Sequence, residues 1–112
     1  MRVLVCGGRD FDDMAMMLIV LGQLGPADTI IHGGARGADT MADQLSHSLG
    51  CKLEVYAADW NAHGKAAGYI RNQQMLDEGK PDMVIAFPGG RGTADMVKRA
   101  KKAGVPVTEV KP

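Results

Sequence analysis

The feature that most constrains this chain is an alternation. Short, continuously apolar runs of four or five residues are followed repeatedly by longer segments with helical spacing, and several junctions carry glycine pairs. Arg2–Cys6 reads as a buried strand closed by Gly7-Gly8. Asp12 or Asp13 offers an N-cap for a helix running to about Leu24, where Gly25-Pro26 stops it. Thr29–His32 is a second strand, closed by Gly33-Gly34, and a helix is predicted from about Ala38 to Leu49 with Gly50 as its stop. Lys52–Tyr56 is a third strand. Residues 57–65 read as irregular, and a helix is predicted from about Ala66 to Asp77. Met83–Phe87 is a fourth strand ended by Pro88-Gly89-Gly90. A helix from about Thr93 to Lys102 and a short strand at Val107–Val110 complete the pattern.

Strands that are apolar throughout and joined by helices imply a parallel sheet buried on both faces. Crossovers between parallel strands are right-handed, so the expected α/β fold is a doubly wound, Rossmann-like sheet of about five parallel strands with helices on both faces. The 112 residues suit one domain, spanning 1–112. Aromatics make up only 4% of the chain, so its core must come from Val, Ile, Leu, Met and Ala. Thirteen basic residues balance thirteen acidic ones. That neutrality argues against a general nucleic-acid binder, though it leaves room for a local basic pocket. Cys6 and Cys51 lie in apolar runs and read as buried, reduced thiols. No Cys/His pair has zinc-ligand spacing, so neither metal nor cofactor is predicted. The chain enters its first strand without a charged leader, and its longest apolar stretch, Met14 to Leu21, is too short to span a bilayer. The expectation is a cytoplasmic protein with no membrane partner.

The first helix is apolar nearly all round: Met14, Met16, Met17, Leu18, Ile19, Val20, Leu21 and Leu24. A simple surface helix has one apolar stripe. The expectation is a homodimer that covers the outer face of this helix.

In open parallel sheets, ligands bind outside the carboxyl ends of the strands, where the strand order reverses. The loops after strands one, two and four therefore matter most. They read Cys6-Gly7-Gly8-Arg9-Asp10, His32-Gly33-Gly34-Ala35-Arg36-Gly37-Ala38-Asp39 and Pro88-Gly89-Gly90-Arg91-Gly92-Thr93. Each has paired glycines and an arginine. Glycine admits close backbone approach. The helix that follows offers unpaired N–H groups and the positive end of its dipole. Arginine adds a planar fork matched to phosphate. Arg9, Arg36 and Arg91 are expected to converge on a phosphate-bearing ligand. The usual fingerprints are absent: there is no Gly-x-x-x-x-Gly-Lys-Ser/Thr, and no Gly-x-Gly-x-x-Gly follows strand one.

Ile70-Arg71-Asn72-Gln73-Gln74-Met75, followed by Asp82–Phe87 and Pro88-Gly89-Gly90-Arg91-Gly92-Thr93, resembles the LOG and lysine-decarboxylase-like group. That group carries an Arg-Lys-x-x-Met helix and then Pro-Gly-Gly-x-Gly-Thr-x-x-Glu. The Gly33-Gly34-Ala35-Arg36-Gly37 loop resembles the group's earlier glycine loop. Across nearly all its length the chain resembles the small YspA-type (cpYpsA-related) branch of the SLOG superfamily. The resemblance implies a Rossmann-like fold that binds nucleotides or nucleotide-derived ligands, and in LOG enzymes it implies hydrolysis of the N-glycosidic bond of a nucleoside 5′-monophosphate. The arginine carries over to Arg71, while Asn72 stands where the group has lysine. The group's glutamate falls on Met96, with Asp95 one residue earlier and about 100° around the helix. Glycoside cleavage needs a placed carboxylate, and Asp95 or Asp39 is the candidate replacement.

Other residues have two readings. Asp39 either caps the second helix or binds a ribose hydroxyl or acts as base. Thr93 either caps the last helix or donates to phosphate. Trp60 either stacks on a base or plugs the edge of the core. His63 is a loop histidine, His32 a satisfied buried one, and Lys98, Arg99, Lys101 and Lys102 a solvated complement to the last helix dipole. Three functions stay open: a nucleotide-binding sensor or processing module, a nucleotide N-glycosidase, and, against the charge balance, a single-stranded DNA binder.

Overall fold

The computed structural model describes residues 1–111. Five strands form one parallel sheet: β1 (Arg2–Cys6), β2 (Thr29–His32), β3 (Lys52–Val55), β4 (Met83–Ala86) and β5 (Val107–Glu109), in the order β3-β2-β1-β4-β5. The chain winds outward from β1 to β3, then crosses back to β4, so the order reverses between β1 and β4. This is the expected Rossmann-like α/β fold.

The period-2 geometry of a strand sorts the core into two layers. Val3, Val5, Ile30 and Ile85 face one side. There they pack on Met17 and Leu21 of α1 (Met14–Leu21) and on Ala42 and Leu45 of α2 (Ala38–Leu49). Leu4, Cys6, Ile31, Val84 and Ala86 face the other, against two further helices. Met75 and Leu76 come from α4 (Ala67–Gly79), and Met96, Val97 and Ala100 from α5 (Arg91–Lys102). Val3, Leu4 and Val5 of the central strand are fully buried. Burial of each such aliphatic side chain contributes about 1.5–3 kcal/mol, which is how a core so poor in aromatics holds.

Element ends depart from the sequence expectation in a few places. α1 starts where Asp13 caps it, its carboxylate accepting from Met16 N, but it stops at Leu21, three residues before Leu24. Leu24 N then donates to Leu21 O in a separate turn. Residues 57–65 are not wholly irregular: Asp59 caps a four-residue helix, α3 (Trp60–His63), and a 3-10 turn at Gly64–Ala66 leads into α4. α4 runs on to Gly79, and Lys80 takes the left-handed conformation, with φ 45°. α5 begins at Arg91, two residues before Thr93, with Gly90 as N-cap.

The outer face of α1 lies bare on this chain: Leu18 and Ile19 are exposed, Ile19 by 83%. Cys6 is buried and Cys51 half-buried, and both are free thiols. No helix among the described residues is long and apolar enough to cross a membrane.

Candidate ligand-binding cleft

The reversal between β1 and β4 brings the three glycine loops to one end of the sheet. Between them opens a cleft of about 1480 Å³. Gly8 N donates to Pro88 O at 2.9 Å, which joins the first loop to the third, and Gly8 O accepts from Ala38 N at 3.1 Å, which joins it to α2. Phe11 and Phe87 form a tilted ring pair, centroids 5.1 Å apart, beside that junction.

The loop after β2 is closed on itself. Asp39, in the first turn of α2, turns its buried carboxylate back so that Oδ2 accepts from Gly33 N at 3.1 Å and Ala35 N at 3.2 Å. Gly34 N donates to Nδ1 of His32 at 2.9 Å. Nδ1 is thereby the acceptor, so Nε2 carries the proton and donates to Asp43 Oδ2 at 2.8 Å. His32 is the satisfied buried histidine the sequence suggested. Burial raises the Asp39 carboxyl above the ordinary carboxylate range, against the opposing pull of the Ala35 amide, His32 and Arg71. Gly33 lets Arg71 lie against the backbone: Nη1 donates to Gly33 O at 2.5 Å, and a Cβ there would strike the guanidinium. Gly37 has φ +79°, and its Cβ would strike the carbonyls of Gly8 and Arg9.

The loop after β4 is open. The backbone amides of Gly89, Gly90, Arg91, Gly92 and Thr93 donate to nothing among the described residues; the first amide of this stretch to find an acceptor is Ala94 N, on Gly90 O. No acidic side chain sits in the first turn of α5. A Cβ on Gly89 would strike Thr93 and Gly8, but on Gly90 or Gly92 it would meet nothing. The protein's own packing therefore requires glycine at 89 and leaves free space over 90 and 92.

Arg71 joins the two loops. Its Nε donates to Asn72 Oδ1 at 3.1 Å, and Asn72 Nδ2 donates to Gly92 O at 3.1 Å and Asp95 Oδ2 at 3.0 Å. Asp95 also accepts from Arg99 Nε at 2.8 Å, and Arg99 Nη1 donates to Gln73. Burial lowers the pKa of the half-buried Arg71; Asp39 opposes that shift and Arg9 adds to it.

The cleft gathers most residues the sequence singled out: Gly7, Gly8, Arg9, Gly33, Gly34, Ala35, Arg36, Asp39, Trp60, Arg71, Asn72 and Pro88 through Thr93. It does not include Gly37, which packs behind the loops, or Asp95, which faces the α4–α5 seam. Met96 is wholly buried in the core. Arg36 pairs with Asp10 at 3.2 Å, both side chains largely in solvent. Trp60 does not plug the core; it is 50% exposed, with the Arg9 guanidinium 5.8 Å from its ring centroid. His63 lies outside the cleft. The basic run is not wholly solvated, since Arg99 belongs to the seam and Lys101 pairs with Glu109. Lys65, at the end of the candidate segment 58–65, also lines the cleft, and sequence reasoning missed Gly68 and Tyr69, which line it too.

A parallel sheet in the order 3-2-1-4-5 with an open cleft at its reversal defines a Rossmann-like α/β protein with a candidate site at that reversal. Residues 1–63 match the YspA, cpYpsA-related SLOG family (YAcAr). The chain is also 38% identical over 117 residues to Gene 61 protein of Mycobacterium phage D29, covering 95% of this chain and 93% of the relative. The chain belongs to the YspA, cpYpsA-related SLOG family.

Proposed function

We propose that this protein binds a phosphate-bearing, nucleotide-derived ligand, seats its phosphate on the Gly89–Thr93 amides, and does not cleave it. The observation that carries this reading is the run of five unpartnered amides at the start of a twelve-residue helix, facing a cleft that Arg9, Arg71 and Arg91 also line. Membership of a SLOG family supports a nucleotide-related role. Cleavage of an N-glycosidic bond needs a carboxylate free to stabilise an oxocarbenium-like centre or to activate water. Asp39 spends its Oδ2 on two backbone amides, Asp95 is tied to Asn72 and Arg99 outside the cleft, and position 96 holds a buried methionine. That arrangement favours binding over hydrolysis.

The test is a thermal-shift series with nucleoside monophosphates, ADP-ribose, NAD and cyclic dinucleotides, with each ligand then assayed for released base. A ligand that binds only the folded state raises the melting temperature. The expected result is a shift from an intact ligand, reduced about tenfold in affinity by Arg91→Ala, which removes one charge-assisted contact. Release of free base would overturn the binding reading in favour of an N-glycosidase. We also propose that a second copy covers the α1 face in a homodimer. Light scattering should then give twice the chain mass, and Ile19→Asp should halve it.

A further inference from the structure

Trp60 is the chain's one tryptophan, and nothing in the core requires it. It stands half-exposed on α3, whose start is fixed by Asp59 accepting from Ala62 N at 3.0 Å. Its six-membered edge lies beside Gly68 of α4, and the ring lines the cleft. Arg9 covers it. No carboxylate pairs with Arg9 among the described residues, since the neighbouring Asp10 goes to Arg36. Arg9 is rooted beside Gly8, whose amide is bonded to Pro88 next to the open amides. One side chain thus spans from the phosphate end of the cleft to the aromatic end.

We infer that Trp60 is the platform for a planar base, and that Arg9 stacks on it only until a nucleotide arrives. This rests on the phosphate reading above and narrows it from phosphate-bearing ligands to those that also carry a base. In the free protein the cation–π contact shelters an arginine that has no anion. It also keeps Arg9 near Arg71, and the two cations repel: Arg9 is one of the groups that depress the Arg71 pKa. A nucleotide resolves both conditions together. Its base replaces the guanidinium on the indole, and its phosphate gives Arg9 and Arg71 an anion between them. A sugar phosphate has no base to displace the guanidinium, so it leaves Arg9 on the ring and meets Arg71 alone.

Because Trp60 is unique, its emission reads this exchange directly. The probes are AMP, GMP, CMP and UMP against ribose 5-phosphate, followed by melting temperature and by Trp60 fluorescence. At least one nucleotide is expected to raise the melting temperature and change the emission. Ribose 5-phosphate should bind more weakly and leave the emission as it was. Trp60→Ala should lower nucleotide affinity about 5- to 100-fold, the worth of one base–aromatic stack, and leave ribose 5-phosphate affinity unchanged. Trp60→Phe should restore most of the loss, and Arg9→Met should weaken the nucleotide while leaving ribose 5-phosphate nearly unchanged. If nucleotide and ribose 5-phosphate bind equally to wild type and Trp60→Ala, the base platform is overturned and the phosphate site stands. If no probe shifts the melting temperature or the emission, both readings fall.

Discussion

The glycine loops after β2 and β4 look alike in sequence and behave oppositely in the fold. Both end a buried strand, and both lead into a twelve-residue helix whose N-terminus attracts an anion. The helix after β2 brings its own anion, Asp39, which takes the amides of Gly33 and Ala35. The helix after β4 brings none, and five amides of residues that line the cleft have no partner among the described residues. The first loop satisfies its own amides, and the second leaves its amides without a partner among the described residues. A glycine-rich turn before a helix is therefore half of an argument for ligand binding. The other half is whether the helix already neutralises itself.

Substitutions can break that contrast at several points. The largest effect is expected at Gly37→Ala in the closed loop. There a Cβ would strike two backbone carbonyls at positive φ, costing about 3 kcal/mol or more. Calorimetry should show a fall of roughly 10 °C or more. Asp39→Ala follows, at about 2–3 kcal/mol by denaturant titration, because it leaves two loop amides without their acceptor. Next is Cys6, whose thiol is pushed up to about 12, chiefly by burial and then by the Asp39 charge. The folded chain keeps that proton up to about pH 12, while the unfolded chain loses it from its ordinary value of 9.0. The stability is therefore complete below pH 9 and falls by about 1.4 kcal/mol by pH 10. Cys6→Ala should flatten that slope, measured as melting temperature against pH. The smallest stability effect belongs to the open loop. Gly92→Ala meets no protein atom and should raise stability by about 0.5 kcal/mol through helix propensity. It should nonetheless weaken nucleotide binding by isothermal titration. If Gly92→Ala leaves binding intact, the contrast between the loops has no functional meaning.

All five strands were legible to within a residue, most plainly β1 and β4, where an apolar run ends at a glycine loop; β3 and β5, which carry Lys52, Glu54, Thr108 and Glu109, were read from their place in the alternation. Helix ends were less so. Gly22 was an available stop for α1, but Gly25-Pro26 read as the stronger one, and Arg91-Gly92 reads as loop until Gly90 is seen to cap α5. The cap at Asp59 was legible in principle, since an Asp three residues before a small residue is an ordinary helix start. Within the site, position was legible and occupancy was not. The strand pattern placed Arg9, Arg36 and Arg91 at one end of the sheet, but whether each meets a ligand or a neighbour depends on tertiary partners. Arg36 meets Asp10, and Arg9 meets Trp60. Asp95 was a candidate catalytic group because of its distance from the Pro-Gly-Gly motif. What removes it is Asn72, twenty-three residues away along the chain.

The side-chain bridge from Gly33 O through Arg71 and Asn72 to Gly92 O has a thermodynamic corollary. A ligand that steadies the first turn of α5 also steadies Asn72, and through Arg71 the carbonyl of Gly33. The amides of Gly33 and Ala35, which are already bonded to Asp39, should then exchange with deuterium more slowly when the cleft is filled. Occupancy of the open loop would be written, at a distance, into the protection of the closed one.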